Sequence, residues 1–149
     1  MFFVVKQASE FMPLFMKRDI EFIHNKKPNH ELVDKLNIRS LITKSFGDLS
    51  GGEKKRVILY LALISEAPVI LLDELLAEVS VEPVKELNGK SYVDIIIEIL
   101  SDVKFRTNKI VFLVGHDIIS KFTSSESIVK LSLSNDRYQN NFMTQLVER

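Results

Sequence analysis

Four short runs of mostly apolar residues, separated by longer helical patterns, constrain the fold of this chain more than any other feature. The runs span Phe2–Lys6, Val69–Leu72, Lys109–Val114 and Ser127–Leu133. Each run is short enough for a buried strand, and the patterns between them suit helices. Alternation of strands and helices predicts an α/β fold with a mostly parallel sheet flanked by helices.

Helical patterns fill the intervals between the runs. They predict helices at Phe15–Asn25, His30–Leu36, Glu53–Glu66 and Tyr92–Val103. Pro68 stops the third of these helices, and Pro83 can open the stretch that leads to the fourth. No repeat, low-complexity tract or Pro/Gly/Ser linker divides the 149 residues. We therefore expect a single domain.

Composition excludes several classes of protein. Twenty basic residues balance twenty acidic ones, so no net charge draws the chain to nucleic acid. The absence of cysteine excludes disulfides and thiolate metal sites, which fits a reducing compartment such as the cytoplasm. Charged residues interrupt every apolar stretch before it reaches the roughly 20 residues that cross a bilayer. We expect a chain that does not itself span a membrane, although it can dock on a membrane protein.

A Ser-Gly-Gly turn (Ser50, Gly51 and Gly52) precedes the longest predicted helix. Glycines let backbone amides approach a ligand, and a helix N-terminus favours an anion. The turn is therefore a candidate phosphate site. Ser50 and Glu53 also have the S-x-x-E spacing of a capping box, which caps helices of any function. Taken alone, the segment supports both interpretations equally.

The second apolar run ends in two carboxylates, Asp73 and Glu74. Ligands of open α/β sheets bind at the carboxyl ends of strands. Asp73 is a candidate magnesium ligand acting through water, and Glu74 is a candidate for orienting the water that attacks a phosphoryl group. The alternative is an ordinary buried strand followed by a solvated turn.

The third run ends in Gly115-His116-Asp117, which repeats this arrangement. A neutral imidazole at the end of a strand can hydrogen-bond a γ-phosphate or the attacking water. The alternative for His116 is a structural role in a turn.

Taken together, these segments closely resemble the ATP-binding cassette family. That family pairs an LSGGQ or LSGGE signature with a Walker B strand at the spacing seen from Ser50 to Asp73, and places a histidine loop on the next strand. Val4-Val5-Lys6-Gln7 is similar to the family's Q-loop strand. The resemblance covers nearly the whole chain and implies a partial P-loop NTPase fold, with a helical subdomain at about residues 8–67 and the Walker B and histidine core at 68–149.

The sequence departs from the family in three respects. No G-x-x-x-x-G-K-[ST] Walker A loop occurs, and Gly89-Lys90-Ser91 lacks its first glycine, so we interpret it as a solvated turn before a helix. Leu75 and Ser80 stand where the family has a proline and the D-loop aspartate. The long interval from Asp73 to His116 indicates an added surface excursion near residues 81–92.

The resemblance implies an ATPase that uses ATP and Mg²⁺. Ser50, Gly51 and Gly52 would contact nucleotide held by a second module in a head-to-tail dimer. Asp73 and Gln7 would serve the metal, with Gln7 also contacting nucleotide, while Glu74 and His116 would be catalytic. We expect a transporter motor subunit that is cytoplasmic or peripheral to a membrane and can bind a transmembrane permease. It needs a Walker A-bearing lobe or partner.

Two other functions stay open. One is a non-hydrolysing regulatory or interaction subunit, or a degenerate remnant of the fold, which the missing Walker A loop and Ser80 favour. The other is the ATPase head of a DNA-repair or chromosome-maintenance protein. The segment Glu53-Lys54-Lys55-Arg56 favours that head. The zero net charge and the absence of coiled-coil heptads oppose it, so we expect no direct contact with nucleic acid.

Overall fold

The computed structural model describes residues 2–5, 21, 24–76, 79–106 and 109–114. Within them three strands form one sheet: β1 (Phe2–Val5), β2 (Val69–Asp73) and β3 (Ile110–Val114). The order is β1-β2-β3 with both pairs parallel, so β2 is the middle strand. The predicted α/β class and parallel sheet are confirmed.

The helices whose ends fall within the described residues are α1 (His30–Lys35), α2 (Gly51–Ile64) and α3 (Tyr92–Ser101). Single 3₁₀ turns lie at Phe46–Asp48, Lys85–Leu87 and Val103–Arg106. Glu21 and residues 24–26 are also helical, while the rest of the helix predicted at Phe15–Asn25 and the strand predicted at Ser127–Leu133 lie outside the described residues. The division of the chain at residues 67 and 68 stays a prediction.

Helix α2 lies at the centre of the core. Every residue from Lys55 to Ile64 is buried, so the helix has no polar face. A helix that is apolar all round is surrounded by protein, and its neighbours in the core come from α1, β2 and α3. The run Val57–Ile64 is therefore explained by burial on every side rather than by one amphipathic stripe.

The ends of α2 follow local chemistry. We predicted a start at Glu53, and the helix begins two residues earlier because Ser50 caps it and Glu53 completes the cap. It ends at Ile64, before Pro68 is reached, where Ser65 turns to an extended conformation. Lys109 Nζ donates to the carbonyl oxygens of Ser65 at 2.5 Å and Ala67 at 2.9 Å. A cation at a helix C-terminus stabilises its unpaired carbonyls.

Helix α3 begins at Tyr92 as predicted, because Ser91 and Asp94 form a second capping box. Pro83 does not open a helix; the segment after it forms only the 3₁₀ turn. Asn88 and Gly89 then adopt left-handed conformations, and Lys90 is exposed. Gly89-Lys90-Ser91 is thus a turn before a helix, and the predicted excursion near residues 81–92 is mostly exposed.

The two faces of the sheet differ in exposure. Ile70 and Leu72 of the middle strand are fully buried on the face that joins the helical core. On the opposite face, Ile110, Phe112 and Val114 of β3 are 60%, 47% and 52% exposed. Parallel sheets are normally covered on both faces. Among the described residues, this second face is open.

Candidate functional site

The Ser-Gly-Gly turn forms the N-terminus of α2. Ser50 Oγ accepts from the Glu53 backbone N–H at 3.3 Å, and Glu53 Oε2 accepts from the Ser50 N–H at 2.8 Å. That backbone hydrogen bond from Ser50 is the main reason why the pKa of Glu53 is lowered. The capping-box interpretation is therefore confirmed. It leaves the phosphate interpretation open, since Ser50 is exposed and both glycines are half-buried.

A cavity of about 270 Å³ opens beside this turn. The first turns of α2 form one wall, and the segment after β2 together with the start of α3 forms the other. Its lining consists of Ser50, Gly51, Gly52, Glu53, Arg56, Val79, Ser80 and Tyr92. Ser80, which we predicted to stand at the position of the D-loop aspartate, therefore lies in the same cavity as the Ser-Gly-Gly turn.

Arg56 holds the base of this cavity together. Its side chain is buried, and Nη1 donates to the carbonyl oxygens of Leu36 at 2.7 Å and Asn37 at 3.1 Å. The guanidinium carbon lies 3.7 Å from the centre of the Tyr92 ring. Asn37 Nδ2 donates to the Tyr92 hydroxyl at 3.1 Å. Burial lowers the pKa of Arg56, and Tyr92 and Glu53 oppose that shift. Arg56 thus joins α1, α2 and α3 at one point.

Asp73 and Glu74 lie at the carboxyl end of the middle strand, and both are half-buried. Glu74 has a left-handed backbone with φ 51°. This conformation costs a non-glycine residue about 1–2 kcal/mol. The Glu74 N–H donates to the carbonyl oxygen of Val114 at 2.9 Å, which links the turn to the end of β3. Strain of this kind is concentrated at functional sites.

Lys55 reaches the same turn from α2. Its Nζ donates to the Glu74 carbonyl oxygen at 2.5 Å, and the side chain is buried. Sequence reasoning considered Lys55 and Arg56 only as part of a basic run suited to DNA and assigned them no role in the nucleotide site, because basic residues are usually solvated. The available signal was their position directly before the apolar run at 57–64, because the helix enters the core at that point.

The described residues hold no cluster of three or more His, Asp or Glu side chains able to bind a metal. Magnesium bound with nucleotide needs only one or two carboxylates, because water and phosphate oxygens complete its six ligands. Asp73 offers a hard oxygen ligand at a half-exposed strand end. Its chemistry and position fit a magnesium–nucleotide ligand.

The candidate residues that are described lie in two places. Ser50, Gly51 and Gly52 line the cavity, whereas Asp73 and Glu74 are not part of its lining. Gln7 and His116 lie outside the described residues, so their predicted roles stay predictions. The DNA-binding alternative relied on Lys54-Lys55-Arg56, and two of these three side chains are buried and occupied with backbone carbonyls.

The parallel sheet and its helical core place the chain among α/β proteins of the P-loop NTPase class. The chain belongs to the ATP-binding cassette family: a family profile described as ABC transporter matches residues 2–77. The predicted family and fold are thereby confirmed. In the part of the chain that is described, no helix is both long and apolar enough to cross a membrane.

Two relatives illustrate the match. The chain is 34% identical to the lipoprotein-releasing system ATP-binding protein LolD of Acinetobacter baylyi, an alignment that covers 71% of this chain and 42% of the relative. It is 25% identical to the zinc import ATP-binding protein ZnuC of Hydrogenovibrio crunogenus, covering 84% and 47%. The chain therefore spans less than half the length of these curated relatives.

Solved structures agree on the fold. The dimeric post-hydrolysis state of an ATP-binding cassette bound to ADP and Pi aligns with a TM-score of 0.54 at 21% identity, covering 79% of this chain and 53% of that one. An archaeal ribosome recycling factor in complex with a ribosomal stalk protein gives a TM-score of 0.55 at 22% identity, covering 78% and 21%. At these identities the likeness establishes the fold alone.

Proposed function

We propose that this chain is an ATP-hydrolysing module of a transport system and works with a Walker A-bearing lobe or partner. The observation that carries the proposal is the position of Asp73 and Glu74, a half-exposed carboxylate pair that ends the middle strand of a parallel sheet. Ligands of such sheets bind at this edge. Transport is supported by the relatives, which are named for lipoprotein release and zinc import.

The residues divide into two groups in this proposal. Asp73 binds Mg²⁺ through water, with Gln7 as a second contact. Glu74 orients the attacking water, and His116 hydrogen-bonds the γ-phosphate or that water. Magnesium neutralises charge on the phosphates when it is bound. The Ser-Gly-Gly turn contacts a different nucleotide, one held by a second module stacked head to tail. Its separation from Asp73 and Glu74, which do not line the same cavity, supports this division.

The proposal includes a Walker A-bearing lobe or partner because these 149 residues contain no G-x-x-x-x-G-K-[ST] loop, whose amides and lysine hold a triphosphate. The module is placed in the cytoplasm or at the membrane surface, bound to a permease. The placement rests on the relatives' names and on the lack of cysteine.

A regulatory subunit that does not hydrolyse ATP is the second candidate. Ser80 favours it, because this residue lines the cavity of the Ser-Gly-Gly turn in place of the aspartate that the family carries there. Such a subunit would assemble with nucleotide and the Walker A chain but show no turnover.

The test compares Glu74→Gln with Asp73→Asn, each co-expressed with a chain that carries the Walker A loop. Glu74→Gln should reduce phosphate release by about a hundredfold to ten-thousandfold and leave the nucleotide-bound assembly intact on a sizing column. Asp73→Asn should weaken magnesium–ATP binding as well, because it acts through the metal. The matched control is Glu66→Gln, which alters an exposed glutamate after α2.

Two results would decide against the proposal. If Glu74→Gln hydrolyses ATP as fast as the wild type, the catalytic assignment is wrong. If the wild-type mixture assembles but releases no phosphate, the regulatory function replaces it.

A further inference from the structure

Lys55 connects the two groups of residues in the proposed function. It lies four residues after Gly51, so it occupies the same face of α2 one turn further along. Its ammonium does not point back to the cavity lined by Gly51. It donates instead to the Glu74 carbonyl oxygen at 2.5 Å. One rigid helix thus carries the Ser-Gly-Gly turn at its end and a contact to the Glu74 backbone one turn later.

The Glu74 backbone is held from both sides. Its N–H donates to the Val114 carbonyl at the end of β3, and its carbonyl accepts from Lys55. Between these two contacts the residue keeps a left-handed φ of 51°. A conformation of this kind persists only where the surroundings hold it. Among the groups that hold the Glu74 backbone, the Lys55 ammonium comes from α2.

Burial makes this contact firm. Lys55 is only 6% exposed, so its ammonium has little access to water. Charge-assisted hydrogen bonds are shorter and stronger than neutral ones, and low local polarity strengthens them further. A shift of the α2 N-terminus is therefore passed to the Glu74 carbonyl instead of being absorbed by a flexible surface side chain.

We infer that Lys55 is a positioning residue that couples the Ser-Gly-Gly turn to Glu74, so that engagement of nucleotide at one sets the geometry of the other. This inference rests on the function proposed above. Two sites coupled in this way change each other's affinity reciprocally. The coupling runs inside a single module, from the nucleotide held by its partner to the nucleotide that it hydrolyses.

The variants distinguish loss of the Lys55 contact from loss of its charge and from a change in the stability of α2. Lys55→Met removes the donor and keeps a long apolar stem, and Lys55→Gln restores a neutral donor of slightly shorter reach. Lys54→Met is the matched control: it makes the same change at the neighbouring position of the same helix, where the side chain is less buried and its ammonium lies over the Phe46 ring.

The first measurement uses the full chain without nucleotide or partner. Amide hydrogen exchange at Glu74 reports how firmly its N–H is held to Val114. Lys55→Met should speed this exchange by about tenfold or more, the effect of losing one hydrogen bond to a charged group. Exchange at Ile70, near the start of β2, should not change. Lys54→Met should match the wild type at both amides.

The second measurement uses the assembled ATPase. Lys55→Met should lower kcat by about tenfold or more with little change in KM for ATP, because it displaces Glu74 without removing a nucleotide contact. Lys55→Gln should recover a large part of kcat. If Lys55→Met merely loosened the fold, kcat would not fall at constant KM, and Lys55→Gln would not recover kcat.

The outcomes separate the inference from the function on which it rests. Unchanged exchange at Glu74 in Lys55→Met overturns the inference, and so does faster exchange accompanied by wild-type kcat. An inactive wild-type mixture overturns the proposed function and with it the catalytic coupling, while the exchange measurement still decides whether Lys55 holds Glu74.

Discussion

Replacing Arg56 by methionine removes the guanidinium that joins three helices. Methionine keeps an unbranched side chain of similar length, so the packing of the stem is largely preserved. The change deletes the hydrogen bonds to the carbonyls of Leu36 and Asn37 and the stacking on Tyr92 at 3.7 Å. Both carbonyls lie at the end of α1, where they have no partner in the next helical turn.

The expected magnitude follows from these contacts. A hydrogen bond to a charged group contributes about 1.5–3 kcal/mol, and a cation over an aromatic ring about 0.5–2 kcal/mol. Relief from burying the guanidinium offsets part of this sum. We therefore expect Arg56→Met to lower the free energy of unfolding by about 2–4 kcal/mol, a large share of the roughly 5–15 kcal/mol of a typical domain.

Urea unfolding followed by far-ultraviolet circular dichroism is the appropriate assay, because the chain has no tryptophan to report by fluorescence. The control is Arg39→Met, which removes an exposed ion pair with Asp34 whose side chains are 66% and 62% accessible. Such pairs contribute at most about 1 kcal/mol. If Arg56→Met costs no more than this control, the contacts of Arg56 do not stabilise the fold as the structure indicates.

Two further predictions concern pH and the open face of the sheet. Burial, together with the charges of His30 and Arg39, lowers the pKa of His24 below 6.5, so the unfolded chain binds more protons than the folded one. The free energy of unfolding should fall as pH drops through 6.5 and level off below the pKa of His24 in the folded chain. In urea titrations between about pH 5 and pH 8, His24→Gln should flatten this dependence. Phe112→Ser should reduce the fluorescence of a hydrophobic dye bound to the chain, whereas Val81→Ser, at an exposed site in the excursion, should leave it unchanged.

Strands and helix starts could be predicted because their signals are local. Val69–Leu72 is an apolar run bounded by Pro68 and Asp73, and Ser91 with Asp94 marks the start of α3 through spacing alone. Pro83 misled the prediction because a proline is compatible with the first turn of a helix but does not require one. Nothing in the segment after it supplies the capping that Ser91 gives to α3.

The buried contacts of the site could not be predicted, because they depend on partners distant in sequence. Lys55 meets a carbonyl 19 residues later, and Arg56 meets one 20 residues earlier. A pattern of polar and apolar residues carries no information about which carbonyl a basic side chain will reach. The left-handed backbone of Glu74 was equally hidden, since glutamate has no preference for that conformation.

The order β1-β2-β3 also sets a sequence of events during synthesis. Phe2 pairs with Val69, so β1 has no hydrogen-bonding partner in the described sheet until the segment around residue 69 has left the ribosome. At about 5–20 residues per second that delay lasts several seconds. Contacts between residues so far apart also slow folding itself. The pairing of β1 with β2 therefore waits until the helices between them are made, and chaperone binding during this interval would protect the nascent chain.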